Sequence, residues 1–239
     1  MRRLLLLCLL PLAAWGVWTT LIWPSYEHRL RISIAVETPE GLKQGSSVWS
    51  VSCTEPVRGG GWSFMTGGCT TVGEAVFVEL GQGRNLIGLM ARGALGDGGD
   101  VYDIAAVAFD RQGVPKDRFW YPYAPTWSGV RELRGNNIPT LASFSDLNDP
   151  ATGRVVPATD AGFAATFGPG YRLASLTLQA VPVGLWPFNL IGLWGTPVTR
   201  GIEAHVKWMD DPNIIDNPGW MRLPEITRNI IQAMRKPYR

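Results

Sequence analysis

Four aspartates in two turn-like stretches are the acidic side chains best suited to chemistry. Asp97, Asp100 and Asp103 lie in GDGGDVYD, and Asp210 lies in MDDPNIIDNPGW. The first stretch resembles a calcium loop, but its aspartates are spaced by three residues rather than two and the distal acidic ligand is missing. Asp-Pro and Asn-Pro pairs in the second stretch are typical of turns. These aspartates are the first candidates for a small carboxylate-dependent hydrolase, and we predict no metal site.

The two histidines form no catalytic pattern. The chain contains no GxSxG, no HExxH and no Walker A lysine. We expect His28 to lie in a stalk just outside a membrane and His205 to be a structural histidine within a strand. Gly81 and Gly83 lie between two predicted strands, so they indicate a turn rather than a nucleotide site. We therefore predict no catalytic residue and no cofactor.

Aromatic side chains give a stronger indication of a binding function, because large exposed apolar patches are uncommon without a use. They fall in two segments, RFWYPYAPTW and the uncharged GLWPFNLIGLWG. The candidate binding residues in these segments are Trp120, Tyr121, Tyr123, Trp127, Trp186, Phe188 and Trp194. Such residues pack over a core, contact the outer leaflet of a membrane, dock on a partner or stack on sugars. An assembly role predicts that Trp186, Phe188 and Trp194 are exposed together.

The cysteines give information about the compartment. Cys53 and Cys69 enclose CTEPVRGGGWSFMTGGC, a segment that carries five glycines. In an oxidising compartment this arrangement predicts a disulfide, which stabilises the fold by ~3 kcal/mol for a loop of this size. The alternative is two ordinary buried thiols. A zinc site is disfavoured because neither histidine lies nearby.

The first residues predict a membrane segment. Residues 4–23, LLLLCLLPLAAWGVWTTLIW, carry no charge and follow Arg2 and Arg3. At ~1.5 Å per residue this run spans a hydrocarbon core of ~30 Å. We predict an uncleaved anchor over residues 1–24, with the arginines in the cytoplasm and Trp18, Trp23 and Tyr26 at the outer interface. The alternative is a signal peptide cleaved near Ala14 or Gly16; both interpretations place residues 25–239 in the periplasm.

Composition limits the class of partner. Lysine and arginine total 22 and aspartate and glutamate total 20, and no run of five or six like charges occurs. Nucleic acid is therefore disfavoured as a partner, because phosphate binding requires a concentrated basic face. A chain of 239 residues predicts one good-sized domain after the anchor. The partners that we expect are the membrane, through the N-terminal segment, and an envelope protein.

Alternating apolar residues predict a meander of antiparallel strands. The predicted strands cover residues 29–38, SSVWSVSC, GEAVFVEL, NLIGLMA, 101–110, 171–181 and 201–208. Helical spacing predicts short helices over residues 138–147 and 159–167. LPEITRNIIQAMRKPYR predicts an amphipathic C-terminal helix with Ile226, Ile230 and Met234 on one face. We expect this helix to cap the sheet, and a membrane-surface role is the alternative.

Several stretches together resemble a family of exported or membrane-anchored proteins of proteobacteria to which no activity is assigned. These stretches are TPEGLKQGSSV, GEAVFVELGQGRNLIGLM, PTLASFSDLNDPATGRVV, FGPGYRLASLTL and TPVTRGIEAHVKWM. The resemblance implies a bacterial protein with a single exported domain. It implies no mechanism and assigns no role to any residue.

The sequence as a whole predicts a mainly β (α+β) protein, a strand meander or sandwich with short helices behind an N-terminal transmembrane helix. We expect it to lie in the inner membrane as a single-pass protein with a periplasmic domain. Its expected role is binding or assembly. The alternatives are a small carboxylate-dependent hydrolase-like enzyme, for which two carboxylates must converge in one cleft, and an envelope ligand carrier that uses the aromatic segments.

Overall fold

The protein is mainly β, as predicted. The computed structural model describes residues 25–54, 67–93, 100–116, 118–184, 194–210 and 225–236. Its strands are β1 (Ser25–Thr38), β2 (Gly41–Thr54), β3 (Gly68–Glu74), β4 (Val76–Gly81), β5 (Arg84–Arg92), β6 (Val130–Glu132), β7 (Pro139–Phe144), β8 (Gly153–Val155), β9 (Arg172–Val181) and β10 (Arg235–Lys236). Its α-helices are α1 (Ile104–Ala108), α2 (Asp160–Phe167) and α3 (Glu225–Gln232).

The larger sheet has six strands in the order β10-β3-β2-β1-β9-β6, and its neighbouring strands are antiparallel. Its centre is the long β1–β2 hairpin, in which Ser25 lies opposite Thr54 and Thr38 lies opposite Gly41. The Thr38 hydroxyl donates to the Gly41 carbonyl at 2.8 Å and so closes the turn. Alternate residues of β1 face inward and are buried, which is the one-sided pattern that made this strand predictable.

The smaller sheet has four antiparallel strands in the order β4-β5-β7-β8. The chain passes between the sheets at Ala75, which separates β3 from β4. The predicted strand GEAVFVEL is therefore divided between two sheets. Its predicted hairpin with NLIGLMA is confirmed as the β4–β5 pair, with a turn at Gln82 and Gly83.

Two groups of buried apolar side chains hold the layers together. The first includes Ile32, Ile34 and Val78 and combines residues from both sheets. The second includes Phe144 and Met234 and combines the smaller sheet with the C-terminal part of the chain. Burial of such side chains stabilises a fold by ~1.5–3 kcal/mol each, so these groups explain why the two sheets stay together.

Three predicted elements are wrong. Residues 101–110 form a 3₁₀ turn and α1 rather than a strand, and the burial of Val101, Ile104 and Ala105 follows helical spacing. Residues 138–147 contain β7 rather than a helix. All six residues of β7 are buried, so the alternation of a half-exposed strand is absent from its sequence. Residues 201–208 form 3₁₀ turns rather than a strand.

The other helices and the last long strand agree with the predictions. Thr159 caps α2, because its hydroxyl accepts from the Gly162 N–H at 3.1 Å, and Gly168 with φ of 102° ends the helix. β9 occupies the predicted region. The C-terminal helix is present as α3, and Ile230 and Met234 are buried as expected. The side chain of Ile226 lies outside the described residues.

Residues 1–24 lie outside the described part of the chain, so the anchor stays a prediction. In the ranges that the structure describes, no helix is both long and apolar enough to cross a bilayer.

Candidate functional site

A stack of aromatic rings lies where the segment 118–127 packs on the core. The rings of Trp120 and Trp127 are 5.9 Å apart, and the rings of Trp127 and Phe109 are 5.4 Å apart. Trp120 and Trp127 are only 5% and 7% exposed. The Trp127 indole N–H donates to the Gln112 carbonyl at 2.9 Å, and that of Trp120 donates to Asp103 Oδ1 at 3.2 Å. Packing over a core is therefore the role that the structure gives to both tryptophans.

The surface side of this stack consists of Phe119 and Tyr121, which we call the aromatic surface. Their rings stack at 5.1 Å with an interplanar angle of 13°. Phe119 is 37% exposed, while Tyr121 is half-buried and packs edge-on against Trp120 at 5.1 Å. Tyr123 is also half-buried. The sequence interpretation omitted Phe119, although this residue belongs to the same aromatic run as Trp120 and Tyr121.

Further exposed apolar side chains belong to elements packed around the same stack. Val107 on α1 and Val130 on β6 are both exposed. α1 is followed directly by Phe109, and the Arg131 guanidinium lies over the Phe109 ring at 4.8 Å. The sequence interpretation did not select these residues, because single exposed valines are ordinary on protein surfaces.

His28 lies under this stack and not in a stalk, which corrects the prediction. It is buried in β1 opposite Val51, and its ring meets Trp120 edge-on at 5.4 Å. Neither ring nitrogen has a hydrogen-bond partner in the described part of the chain. Burial lowers the pKa of His28 to about 4, so the ring is neutral at pH 7. The apolar alternation of β1 extends to this position, because His28 shares a face with Leu30 and Ile32.

The predicted disulfide is confirmed. Cys53 and Cys69 lie directly opposite each other on β2 and β3 and are joined by a bond of 2.02 Å. The bond closes the base of the glycine-rich segment, whose residues 55–66 lie outside the described part of the chain.

Two of the candidate acidic residues accept hydrogen bonds from aromatic side chains in the described structure. Asp100 accepts from the Tyr102 hydroxyl at 2.6 Å, and this hydrogen bond raises the pKa of Tyr102 to about 12. Asp103 accepts from Trp120, as described above. Asp97 and the side chain of Asp210 lie outside the described residues.

His205 is exposed and follows a 3₁₀ turn instead of lying in a strand, and its ring stacks on Phe77 at 4.1 Å. Among the residues that the structure describes, no three or more histidine, cysteine, aspartate or glutamate side chains group closely enough to hold a metal ion.

The second aromatic segment begins and ends at a closed base. The Thr196 N–H donates to the Pro182 carbonyl at 2.9 Å, and a Cβ on Gly195 would lie 2.2 Å from the Val183 carbonyl oxygen. We call residues 182–184 and 194–196 the neck. Trp194 in the neck is 67% exposed and has a φ of 59°. Trp186 and Phe188 lie outside the described residues, so their exposure together with Trp194 stays a prediction.

The neck is fixed to the larger sheet. The buried Arg29 guanidinium donates to the Thr196 carbonyl at 2.6 Å. Three residues further on, Thr199 accepts from the Val48 N–H at 2.8 Å and donates its own N–H to the Val48 carbonyl at 3.1 Å. These bonds hold an exposed tryptophan in a defined place on the sheet.

Comparison with known proteins supplies no function. No family model, curated protein or solved structure matches the chain at a significant level. A functional proposal therefore depends on the residues and the geometry of this chain.

Proposed function

We propose that the protein is a single-pass inner-membrane protein whose domain, residues 25–239, faces the periplasm and acts as a binding or assembly module. The observation that carries the binding role is the aromatic surface, where Phe119 is 37% exposed and stacks on Tyr121. The partner that we propose is another protein of the cell envelope.

The aromatic surface suits binding because its base is rigid. Tyr121 packs edge-on against Trp120, which is buried and hydrogen-bonded to Asp103. Rings that are already held in place lose little conformational entropy when a partner binds, so more of the contact energy remains as affinity. Tyrosine and tryptophan are also enriched among the residues that dominate binding energy at interfaces.

The exposed ring of the aromatic surface, Phe119, is wholly apolar, which favours a protein over a sugar as the partner. The core of a protein interface is apolar and aromatic, whereas a sugar site adds several polar side chains to an aromatic platform.

Two features support the proposed location. A disulfide persists in the periplasm and is rare in a reducing cytosol. The uncharged run of residues 4–23 is long enough to span a bilayer, and it precedes the first strand directly. The resemblance to exported proteobacterial proteins agrees with both features.

Photocrosslinking in producing cells tests the binding role. The crosslinking amino acid p-benzoylphenylalanine replaces Phe119 in the full-length chain, and the same replacement of Leu42 serves as the control. Leu42 is 60% exposed and lies at the β1–β2 turn, away from the stack. We expect a discrete protein adduct from position 119 that is lost with Tyr121→Ser, and none from position 42. Equal adducts at both positions, or none at position 119, would contradict the proposal.

A further inference from the structure

One end of the larger sheet contains the start of β1, which follows the predicted anchor in the chain. β1 begins there at Ser25, opposite the last residue of β2, Thr54, which in turn lies opposite Gly68 at the start of β3. β9 ends near the same edge, with Val181 opposite Arg29. We call this end of the sheet the entry end.

Almost no chain separates the entry end from the predicted membrane segment. Only Pro24 separates Trp23, the last residue of the uncharged run, from Ser25, the first residue of β1. One residue spans at most ~3.6 Å of extended chain. If residues 4–23 cross the membrane, the entry end cannot move far from the bilayer surface.

Trp194 is held near this end. Its neighbour Thr196 accepts from Arg29, which lies four residues from Ser25 on β1 and thus ~13 Å along the strand. Beyond Val181 the chain continues as Pro182–Gly184, and Gly195 packs against Val183. β9 runs antiparallel to β1, so its C-terminal end points toward the start of β1.

The residue type and its surroundings fit a lipid interface. Tryptophan is enriched at the boundary between bilayer and water, because its indole combines an apolar body with one N–H donor. The neck, residues 182–184 and 194–196, contains no charged residue that would have to be desolvated on contact with lipid. Trp194 also keeps its exposed position with a positive φ, a conformation that is uncommon for a bulky residue.

We propose that Trp194 is a second membrane contact, which places its indole among the lipid headgroups of the outer leaflet and fixes the orientation of the sandwich on the bilayer. This inference rests on the proposed anchor. It assigns the neck to the membrane and leaves the aromatic surface for the envelope protein.

Leu42 provides a matched control for this contact. It is 60% exposed, compared with 67% for Trp194, and it is also a large apolar residue. It lies opposite Glu37, next to the turn that ends the β1–β2 hairpin. β1 has fourteen residues, so the turn lies ~40 Å from the entry end along the strand. The proposal therefore predicts opposite lipid exposure for two similarly exposed residues.

The test places a fluorescent probe at each position in the full-length chain. Cys8→Ser leaves Cys53 and Cys69 paired, and Trp194→Cys or Leu42→Cys then carries a nitrobenzoxadiazole label. The protein is reconstituted in vesicles of phosphatidylethanolamine and phosphatidylglycerol with and without headgroup spin-labelled lipid. We expect the spin label to quench the probe at position 194 several-fold more than the probe at position 42. Circular dichroism and a non-reducing gel check that both variants are folded with the disulfide intact.

Other outcomes overturn the inference in distinguishable ways. If alkaline carbonate releases the unlabelled full-length chain from the vesicles, the proposed anchor fails and the inference fails with it. If the chain stays in the bilayer but quenching at position 194 equals that at position 42, the inference alone fails. A probe at position 194 that is shielded from aqueous iodide but not quenched by lipid indicates contact with protein instead.

Discussion

The two aromatic segments look alike in sequence, but their described tryptophans differ in burial. In the segment 118–127 both tryptophans are buried, and each indole N–H has an acceptor. In the neck, Trp194 is 67% exposed. The difference arises because the first segment packs against Phe109, which directly follows α1, and against His28 on β1. A high density of aromatic residues thus indicates that a segment is held in place by its side chains. Whether those side chains face the core or the surroundings depends on the neighbouring elements.

The largest expected effect comes from truncating the two kinds of tryptophan. We expect Trp120→Ala to lower the free energy of unfolding by ~3–5 kcal/mol, because it leaves a cavity in the stack and removes the partner of Asp103. The matched variant Trp194→Ala should change it by less than ~0.5 kcal/mol. Urea denaturation of both variants measures the contrast, and similar losses would show that the neck is part of the core.

The disulfide should contribute nearly as much to the free energy of unfolding as the Trp120 side chain does. Cys53→Ser with Cys69→Ser removes the bond that joins β2 to β3, and we expect a loss of ~3 kcal/mol in the free energy of unfolding. The chain-entropy account predicts that dithiothreitol has the same effect on the unchanged protein. If reduction leaves the denaturation midpoint unchanged, the bond does not stabilise the base of the glycine-rich segment.

The buried histidine under the stack should make stability depend on pH. Burial lowers the folded-state pKa of His28 to about 4, below its ordinary value of 6.5, so the unfolded chain binds the proton more readily. Its contribution is complete above about pH 6.5 and is lost as the pH falls toward 4, to a total of ~3 kcal/mol. Thermal unfolding from pH 7 to pH 4 measures this loss.

His28→Leu should flatten the part of the pH profile that belongs to His28. His205→Gln is the control, because His205 is exposed and stacks only on Phe77 in the described contacts. If His205→Gln flattens the pH profile and His28→Leu leaves it unchanged, burial of His28 is not the cause of the pH dependence.

The smallest effect on stability is expected at the aromatic surface. Phe119→Ser should lower the free energy of unfolding by less than ~1 kcal/mol, because the ring is partly exposed already. The substitution should instead weaken partner binding. This binding is measured as co-purification of the protein that photocrosslinking at position 119 identifies. A large loss of stability with unchanged co-purification would assign Phe119 to the core instead.

The sequence predicted the strands that show an alternating face or a hairpin turn, and it missed β7, which is buried on both faces. β1, β4 and β9 alternate in burial along part of their length or throughout, and their sequences carry that period. β5 is buried along most of its length and was predicted from the glycine turn that joins it to β4. β7 is buried on both sides, since Leu141 packs in the first core group and Phe144 in the second. A strand of this kind has no alternation to read, so its apolar residues matched helical spacing equally well.

The candidate site was harder to predict than the strands. The disulfide follows from two cysteines and the compartment, and needs no tertiary information. The burial of His28 depends on Trp120, a residue far away in sequence whose packing no local pattern determines. The position of Trp194 likewise depends on hydrogen bonds of Thr196, whose carbonyl accepts from Arg29 and whose N–H donates to the Pro182 carbonyl. Local patterns predicted most strands but failed for residues 101–110, 138–147 and 201–208, and the burial of His28 depends on contacts between distant segments.

The exported location is the claim on which the binding role depends, and one measurement tests it most directly. Thiols are alkylated in intact producing cells, and the membrane fraction is digested without reduction and analysed by mass spectrometry. We predict a linked peptide that contains Cys53 and Cys69, together with an intact N-terminal peptide that includes residues 4–23. Alkylated free thiols at both positions would place the domain in a reducing compartment and contradict the proposed function.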